Sequence, residues 1–164
     1  MATPYSVCFV CTGNICRSPI AESVFRAQVA RAGLAGLVSV ESAGTGGWHE
    51  GDPADPRTVS VLDEHGYETS HTARQFHASW FSRLDLVIAL DEGHLRELRR
   101  LAPTRAEAAK VRLLRSYDPN AAGGLEVPDP YYGGREGFED CLEMAEAASE
   151  GLLDAVRNEM ERAA

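Results

Sequence analysis

Apolar runs and amphipathic stretches alternate along the whole chain. Tyr5 to Cys11 is a continuous apolar run, the signature of a strand buried on both faces. Ser18 reads as an N-cap and Pro19 as the first residue of a helix that carries Glu22 near its positive end, runs to about Ala32 and stops at Gly33. A second strand spans Leu37 to Ala43, followed by a Gly- and Pro-rich loop from Gly44 to Pro56. The next helix bears Val59 and Leu62 and ends at Gly66, a C-terminal cap. Leu84 to Leu90 reads as a third strand. Asp91 then reads as the N-cap, rather than a catalytic group, of a helix with Leu95, Leu98 and Leu101 on one face. Val111 to Leu114 is the last strand predicted. The stretch from Tyr117 to Gly137 has no periodicity, and aperiodic segments of that length in small domains are usually functional. A long helix closes the chain, with Phe138, Leu142, Ala145, Leu152, Val156 and Met160 on one face.

This strand–helix alternation predicts an α/β fold: one three-layer domain over residues 1–164, with a four-stranded parallel sheet flanked by helices. Ligands of such sheets bind at the carboxyl ends of the strands, where strand order reverses. The loops after Cys11, Leu90 and Leu114 are therefore the places to look for chemistry.

The loop after the first strand is Cys11-Thr12-Gly13-Asn14-Ile15-Cys16-Arg17-Ser18. A strand, a tight loop and a helix N-terminus in that order form a cradle for an anion, with amide N–H groups and the helix dipole directed at it. Asn14 tolerates the left-handed backbone that such a turn needs. A Cys at the start of the cradle supplies a nucleophile in its thiolate form. An Arg at its end supplies a planar fork suited to two phosphoryl oxygens. The segment reads as a phosphate-binding loop.

Charge and cysteine usage narrow the partners. A net charge of −9 argues against general affinity for nucleic acid or anionic membrane, so an anionic substrate must be drawn by a local field. No apolar run reaches membrane-spanning length and no signal segment is evident, so the expected location is the cytoplasm and the expected state of the four cysteines is reduced. Cys8 and Cys11 have a C-x-x-C spacing. On a strand, residues three apart face opposite ways, which disfavours a metal or redox pair. Cys141 falls on a helix face and reads as a small core residue. A monomer that needs no cofactor or metal is the default expectation.

A Cys, five residues, then Arg-Ser, set between strand and helix, resembles the protein tyrosine phosphatase signature. Its place near the N-terminus, with Asp129-Pro130-Tyr131-Tyr132 far downstream and Ser42-Ala43-Gly44-Thr45 and Trp48 between, resembles the low-molecular-weight protein tyrosine phosphatase family over nearly the whole chain. The resemblance implies Cys11 as nucleophile, Arg17 as phosphoryl clamp and Asp129 as general acid and base, acting on tyrosine-phosphorylated proteins. It also implies inhibition by inorganic phosphate and other oxyanions. Asp-Pro by itself marks a turn, and Asp52, Asp55 and Asp118 also precede prolines. Asp129 is singled out by the tyrosines that follow it and by its place in the aperiodic loop. Thr12, Gly13, Asn14, Ile15, Cys16 and Ser18 would surround the phosphate, with the Ser18 hydroxyl donating to the sulfur. By resemblance, Asn14 and Ser42 brace the loop and His71 joins them, although a histidine there fits an ordinary packed position equally well. Trp48, Tyr131 and Tyr132 would wall a slot deep enough for phosphotyrosine. The resemblance further suggests a reversible Cys11–Cys16 disulfide under oxidation.

Related bacterial arginine phosphatases resemble this chain but carry Thr at the position of Ile15 and Asp-Pro-Phe in place of Asp129-Pro130-Tyr131. Ile15 and the tyrosines thus favour phosphotyrosine. A thiol-dependent arsenate reductase on the same fold would need a downstream cysteine pair, and Cys141 stands alone after Cys16. A pure phosphate-binding module would need neither nucleophile nor acid.

Overall fold

The computed structural model describes residues 3–121 and 124–163, so residues 122 and 123 of the expected long loop lie outside the described residues. The elements run β1 (Tyr5–Cys11), α1 (Arg17–Arg31), β2 (Val38–Gly44), α2 (Pro56–Glu64), β3 (Leu86–Ala89), α3 (Glu92–Leu101), α4 (Arg105–Ala108), β4 (Val111–Leu113) and α5 (Arg135–Ala163). Among the described residues the four strands form one parallel sheet in the order β2-β1-β3-β4. The chain starts in the middle of the sheet, builds outward to β2, then crosses back to β3. The reversal therefore falls at the carboxyl end of β1, and Cys11 is its last residue, paired in register with Gly44.

Alternation along β1 divides the core. Val7, Phe9 and Cys11 join the cluster formed by α1 and α5, which includes Ile20, Val24, Phe25, Leu142 and Leu152. Cys8 and Val10 face the other way and pack with Val87, Ala89, Phe76, Phe81 and Leu98. Phe9 and Phe25 meet edge to face at 5.7 Å between ring centres. Cys8 and Cys11 thus lie in different layers, and Cys141 is fully packed in the core.

Helix boundaries follow local chemistry. Asp55 caps α2 by accepting from the Arg57 amide, with Pro56 at the first helical position. Asp91 caps α3 by accepting from the His94 amide at 2.8 Å. Gly33 and Gly66, both with positive φ, end α1 and α2.

Three expectations need correction. Ser18 is not the N-cap of α1: the helix begins at Arg17 after Cys16, which offers no side-chain cap, because the Ser18 hydroxyl is committed inward. Leu84 and Leu90 are buried but fall outside the β3 ladder, and Leu114 opens a 3-10 turn rather than extending β4. The 3-10 turn Ala78–Ser82 and the one-turn α4 carry no periodicity long enough to announce them.

Candidate functional site

Asn14 makes the loop possible. Its φ of 58° places it in the left-handed region, the one non-glycine residue there among the described residues. That conformation costs about 1–2 kcal/mol for a residue bearing a Cβ. Four hydrogen bonds oppose the cost. The fully buried side chain donates through Nδ2 to Ser18 Oγ at 2.8 Å and to Ser42 Oγ at 2.9 Å, and its Oδ1 accepts from the Arg74 amide at 3.0 Å. Its carbonyl accepts from His71 Nε2 at 2.6 Å, which puts the imidazole proton on that nitrogen. At about 1 kcal/mol net each, these bonds outweigh the backbone strain. The Ser42 hydroxyl in turn donates to the Glu22 carboxylate, which closes the network on α1.

The same network orients the sulfur's partner. An amide nitrogen can only donate, so Ser18 Oγ accepts from Asn14, and the hydroxyl hydrogen is left for Cys11 Sγ at 2.9 Å or the Ala43 carbonyl at 3.4 Å. The shorter approach is to sulfur, and the Ser18 amide adds a second donor at 3.4 Å. Both donors are directed at the sulfur.

Two close approaches hold the loop against β2 and its extension. Thr45 N donates to the Cys11 carbonyl at 2.8 Å and Gly46 N to the Thr12 carbonyl at 3.0 Å. A Cβ on Gly44 would lie 2.7 Å from the Thr12 carbonyl oxygen, so only glycine fits there, and one on Gly46 would force the exposed Trp48 ring to move. On the far side, the Ile15 carbonyl accepts from Asp55 N at 2.9 Å and Thr58 Oγ1 at 3.0 Å.

Arg17 is 4% exposed, and a buried guanidinium must be paired. Its Nη1 donates to Asp91 Oδ2 at 2.8 Å and to the Val127 carbonyl at 3.0 Å, while Nη2 lies 3.7 Å from Asp129 Oδ2. Burial alone would weaken its hold on the proton, but Cys11, Asp91 and Asp129 together raise its pKa. For Asp91 burial pulls upward, and the His94 amide and Arg17 overcome it, so its carboxyl is held below the usual range. Val127 N donates to the Leu90 carbonyl, which pins the long loop at the end of β3 and delivers Asp129 to the site. Asp129 also accepts from the Tyr131 amide at 3.1 Å, so it is a turn residue and a site residue together.

These groups open into a cleft of about 210 Å³. Cys11, Thr12, Gly13, Ile15, Cys16 and Arg17 form its base, and Trp48, His49, Asp129, Tyr131 and Tyr132 its walls. Asn14, Ser18, Ser42 and His71 stand behind the loop and do not line it. Tyr131 and Tyr132 meet edge to face at 5.0 Å, with Tyr132 91% and Trp48 76% exposed, so the walls are open to an approaching surface. Burial, Asp55 and Cys11 push the Cys16 thiol up to about 12.

Sequence reasoning misses several neighbours. Asp91 is visible there only as a cap, yet its second oxygen holds Arg17. Arg57, clasped by Asp55, lies over the rings of Tyr131 and Phe138 and donates to the Gly133 carbonyl at 3.2 Å. His49 and Thr58 belong to no motif. The one signal that points toward this group is Asp55-Pro56, a capped helix start beside the loop. Among the described residues no group of three or more His, Cys, Asp or Glu side chains is placed to hold a metal ion, and no helix is long and apolar enough to cross a membrane.

Comparison with known proteins agrees with this geometry. Residues 6–162 match the family model described as low molecular weight phosphotyrosine protein phosphatase. A low molecular weight protein-tyrosine-phosphatase of Streptomyces coelicolor is 74% identical over 158 residues, covering 96% of each chain. Phosphatase A of Mycobacterium tuberculosis is 48% identical over 163 residues, covering 99% of this chain and 98% of that one. The crystal structure of a protein tyrosine phosphatase from Entamoeba histolytica, with Hepes in its active site, superposes with a TM-score of 0.91 at 33% identity, covering 95% of this chain and 99% of that one. With the signature loop, the sheet order and these relatives in agreement, the chain belongs to the low molecular weight phosphotyrosine protein phosphatase family.

Proposed function

We propose that this enzyme hydrolyses phosphotyrosine in proteins through a phosphocysteine intermediate. The observation that carries the reading is the opening of Cys11, Arg17 and Asp129 into one cleft, with sulfur at its base and carboxylate at its wall. The phosphoryl group enters with its oxygens on Arg17, exchanging that side chain's 3.7 Å approach to Asp129 for a bidentate grip. Cys11 Sγ attacks phosphorus in line with the ester oxygen, the S–P bond forms as the P–O bond breaks, and Asp129 gives its proton to the departing phenolate. Water then attacks phosphorus, its proton passes to the Asp129 carboxylate, and the thiolate leaves toward the Ser18 hydroxyl. No step uses a metal or cofactor. Inorganic phosphate and other oxyanions compete for the same cradle.

The aromatic walls set the substrate class. Trp48, Tyr131 and Tyr132 line the cleft with aromatic faces against which a phenyl ring can stack and a serine side chain cannot. Ile15 contributes an apolar side chain to the base and is held by its carbonyl bonds to Asp55 and Thr58. Initial rates with phosphotyrosine, phosphoserine and phosphoarginine peptides test the reading. Phosphotyrosine should lead by at least about a hundredfold at mildly acidic pH, undiminished by EDTA, and a wild-type preference for phosphoarginine would overturn it. Ile15→Thr should move selectivity toward phosphoarginine by about tenfold, the scale of a single pocket change.

Oxidation offers a second check. Peroxide would convert Cys11 to a sulfenic acid, whose sulfur the neighbouring Cys16 thiol attacks with loss of water. Mass spectrometry after mild peroxide should find the Cys11–Cys16 bond, reversed by dithiothreitol. Sulfinylated Cys11 beside a free Cys16 would exclude this protection.

A further inference from the structure

We propose that His94 is a positioning residue, through which the first turn of α3 clamps both ends of the phosphate-binding loop. One end of the loop is Thr12, whose Oγ1 lies 2.8 Å from His94 Nε2. The other end is Arg17, whose Nη1 donates to Asp91 at 2.8 Å. Asp91 and His94 are tied to each other by the His94 amide, which donates to Asp91 Oδ1. A rigid block at the head of one helix therefore sets the position of Thr12 relative to Arg17. The loop has other tethers, through Asn14, Ile15 and the Thr12 carbonyl, and Ser18 bonds Cys11 directly, but none of these joins Thr12 to Arg17.

The imidazole's proton can be placed from its surroundings. The side chain is 6% exposed. Its Nδ1 lies 3.2 Å from Asp91 Oδ1, close enough for charge to matter though not aligned as a hydrogen bond. A lone pair facing a carboxylate at that distance is repelled, and an N–H is attracted. The proton therefore sits on Nδ1, and Nε2 accepts the Thr12 hydroxyl hydrogen. The charged groups facing the ring are Arg17 on α1, Asp91 and Glu97 around α3, and Asp129 in the long loop. Burial, followed by Arg17, lowers the imidazole's pKa against the pull of the three carboxylates, so the neutral ring persists into mildly acidic solution. A neutral ring keeps Nε2 free to accept from Thr12, whereas an imidazolium carries a proton there and loses that bond.

This inference rests on the phosphatase reading only for its catalytic consequence. The clamp itself is testable by oxyanion binding. Calorimetric titration with inorganic phosphate is applied to wild type, Thr12→Val, His94→Ala and the double variant. Each single change should weaken phosphate binding by about tenfold, the worth of one buried hydrogen bond, and the double variant should be no weaker than either single. Nitrogen-15 correlation of the wild-type imidazole should show Nδ1 protonated and Nε2 bare, with the Nε2 signal displaced in Thr12→Val. Losses that add, or a proton on Nε2, would overturn the clamp. Should His94→Ala fail to fold, Thr12→Val and His94→Gln decide: the glutamine carbonyl still accepts from Thr12 and should bind phosphate within about threefold of wild type, while wild-type affinity in Thr12→Val would overturn the clamp. Phosphotyrosine turnover is measured in parallel, so that normal phosphate binding without turnover sinks the phosphatase reading and leaves the clamp standing.

Discussion

Cys11→Ser should abolish turnover, with a loss of at least about four orders of magnitude, the scale seen when a covalent nucleophile is removed. The hydroxyl would occupy the place of the sulfur and keep its approach to Ser18, now 2.9 Å from Cys11 Sγ, so the fold has no reason to change. Chemistry is what changes. The Ser18 hydroxyl and amide would still reach the new oxygen, but a serine hydroxyl is a far weaker nucleophile than a cysteine sulfur and no base stands beside it in these contacts. Arg17 and the loop that bind the oxyanion are untouched, so phosphate affinity should stay within about threefold of wild type, since no contact to the oxyanion is lost. Steady-state rates with a phosphotyrosine peptide, set beside a phosphate titration, separate the two effects. Turnover within about tenfold of wild type would remove Cys11 from the mechanism. The same variant, binding without release, is the reagent for capturing tyrosine-phosphorylated partners.

The parts of this molecule that are legible in the sequence are those whose causes lie close together along the chain. Tyr5–Cys11 reads correctly to the residue because Val7 to Cys11 is an unbroken apolar stretch buried on both faces. β3 reads too long because hydrophobicity reports burial and not pairing: Leu84 and Leu90 are buried without joining the ladder. That Cys11 and Arg17 share one cleft is legible because one short loop carries both. Ser18 misleads because cap preference is a local statistic, whereas its hydroxyl is claimed by Asn14 and Cys11. The contacts that complete the site cross long separations. Arg17 reaches Asp91 over 74 residues and Thr12 reaches His94 over 82, and no periodicity or spacing records such a meeting. A capping aspartate looks the same in sequence whether or not its second oxygen holds a buried arginine.

Asp129 is both a turn residue and a neighbour of Arg17 in the cleft, and a leaving-group series tests its proposed role as acid. In Asp129→Ala, kcat/KM for phosphotyrosine should fall by about two to three orders of magnitude, the range of general acid catalysis. The phenolate leaving there is strongly basic, with a parent phenol near pKa 10. For an aryl phosphate whose phenol is far more acidic, the departing oxygen needs little protonation and the loss should shrink toward about tenfold. The dependence of kcat/KM on leaving-group pKa should therefore steepen in the variant. Because kcat/KM covers only the steps through formation of the phosphocysteine, the carboxylate's second task with water does not enter it. The turn is controlled for by Asp129→Asn, whose amide oxygen still accepts from the Tyr131 amide, a bond of 3.1 Å in the native chain, but which has no proton to give at this pH. Asn and Ala should behave alike toward leaving groups. If Asn restores the native slope, Asp129 shapes the loop and another group protonates the phenolate; equal losses across the series would mean the same. The 3.7 Å contact with Arg17 adds an independent sign. Removing the carboxylate frees the guanidinium for an incoming oxyanion, so phosphate should bind Asp129→Ala more tightly than wild type even as turnover collapses.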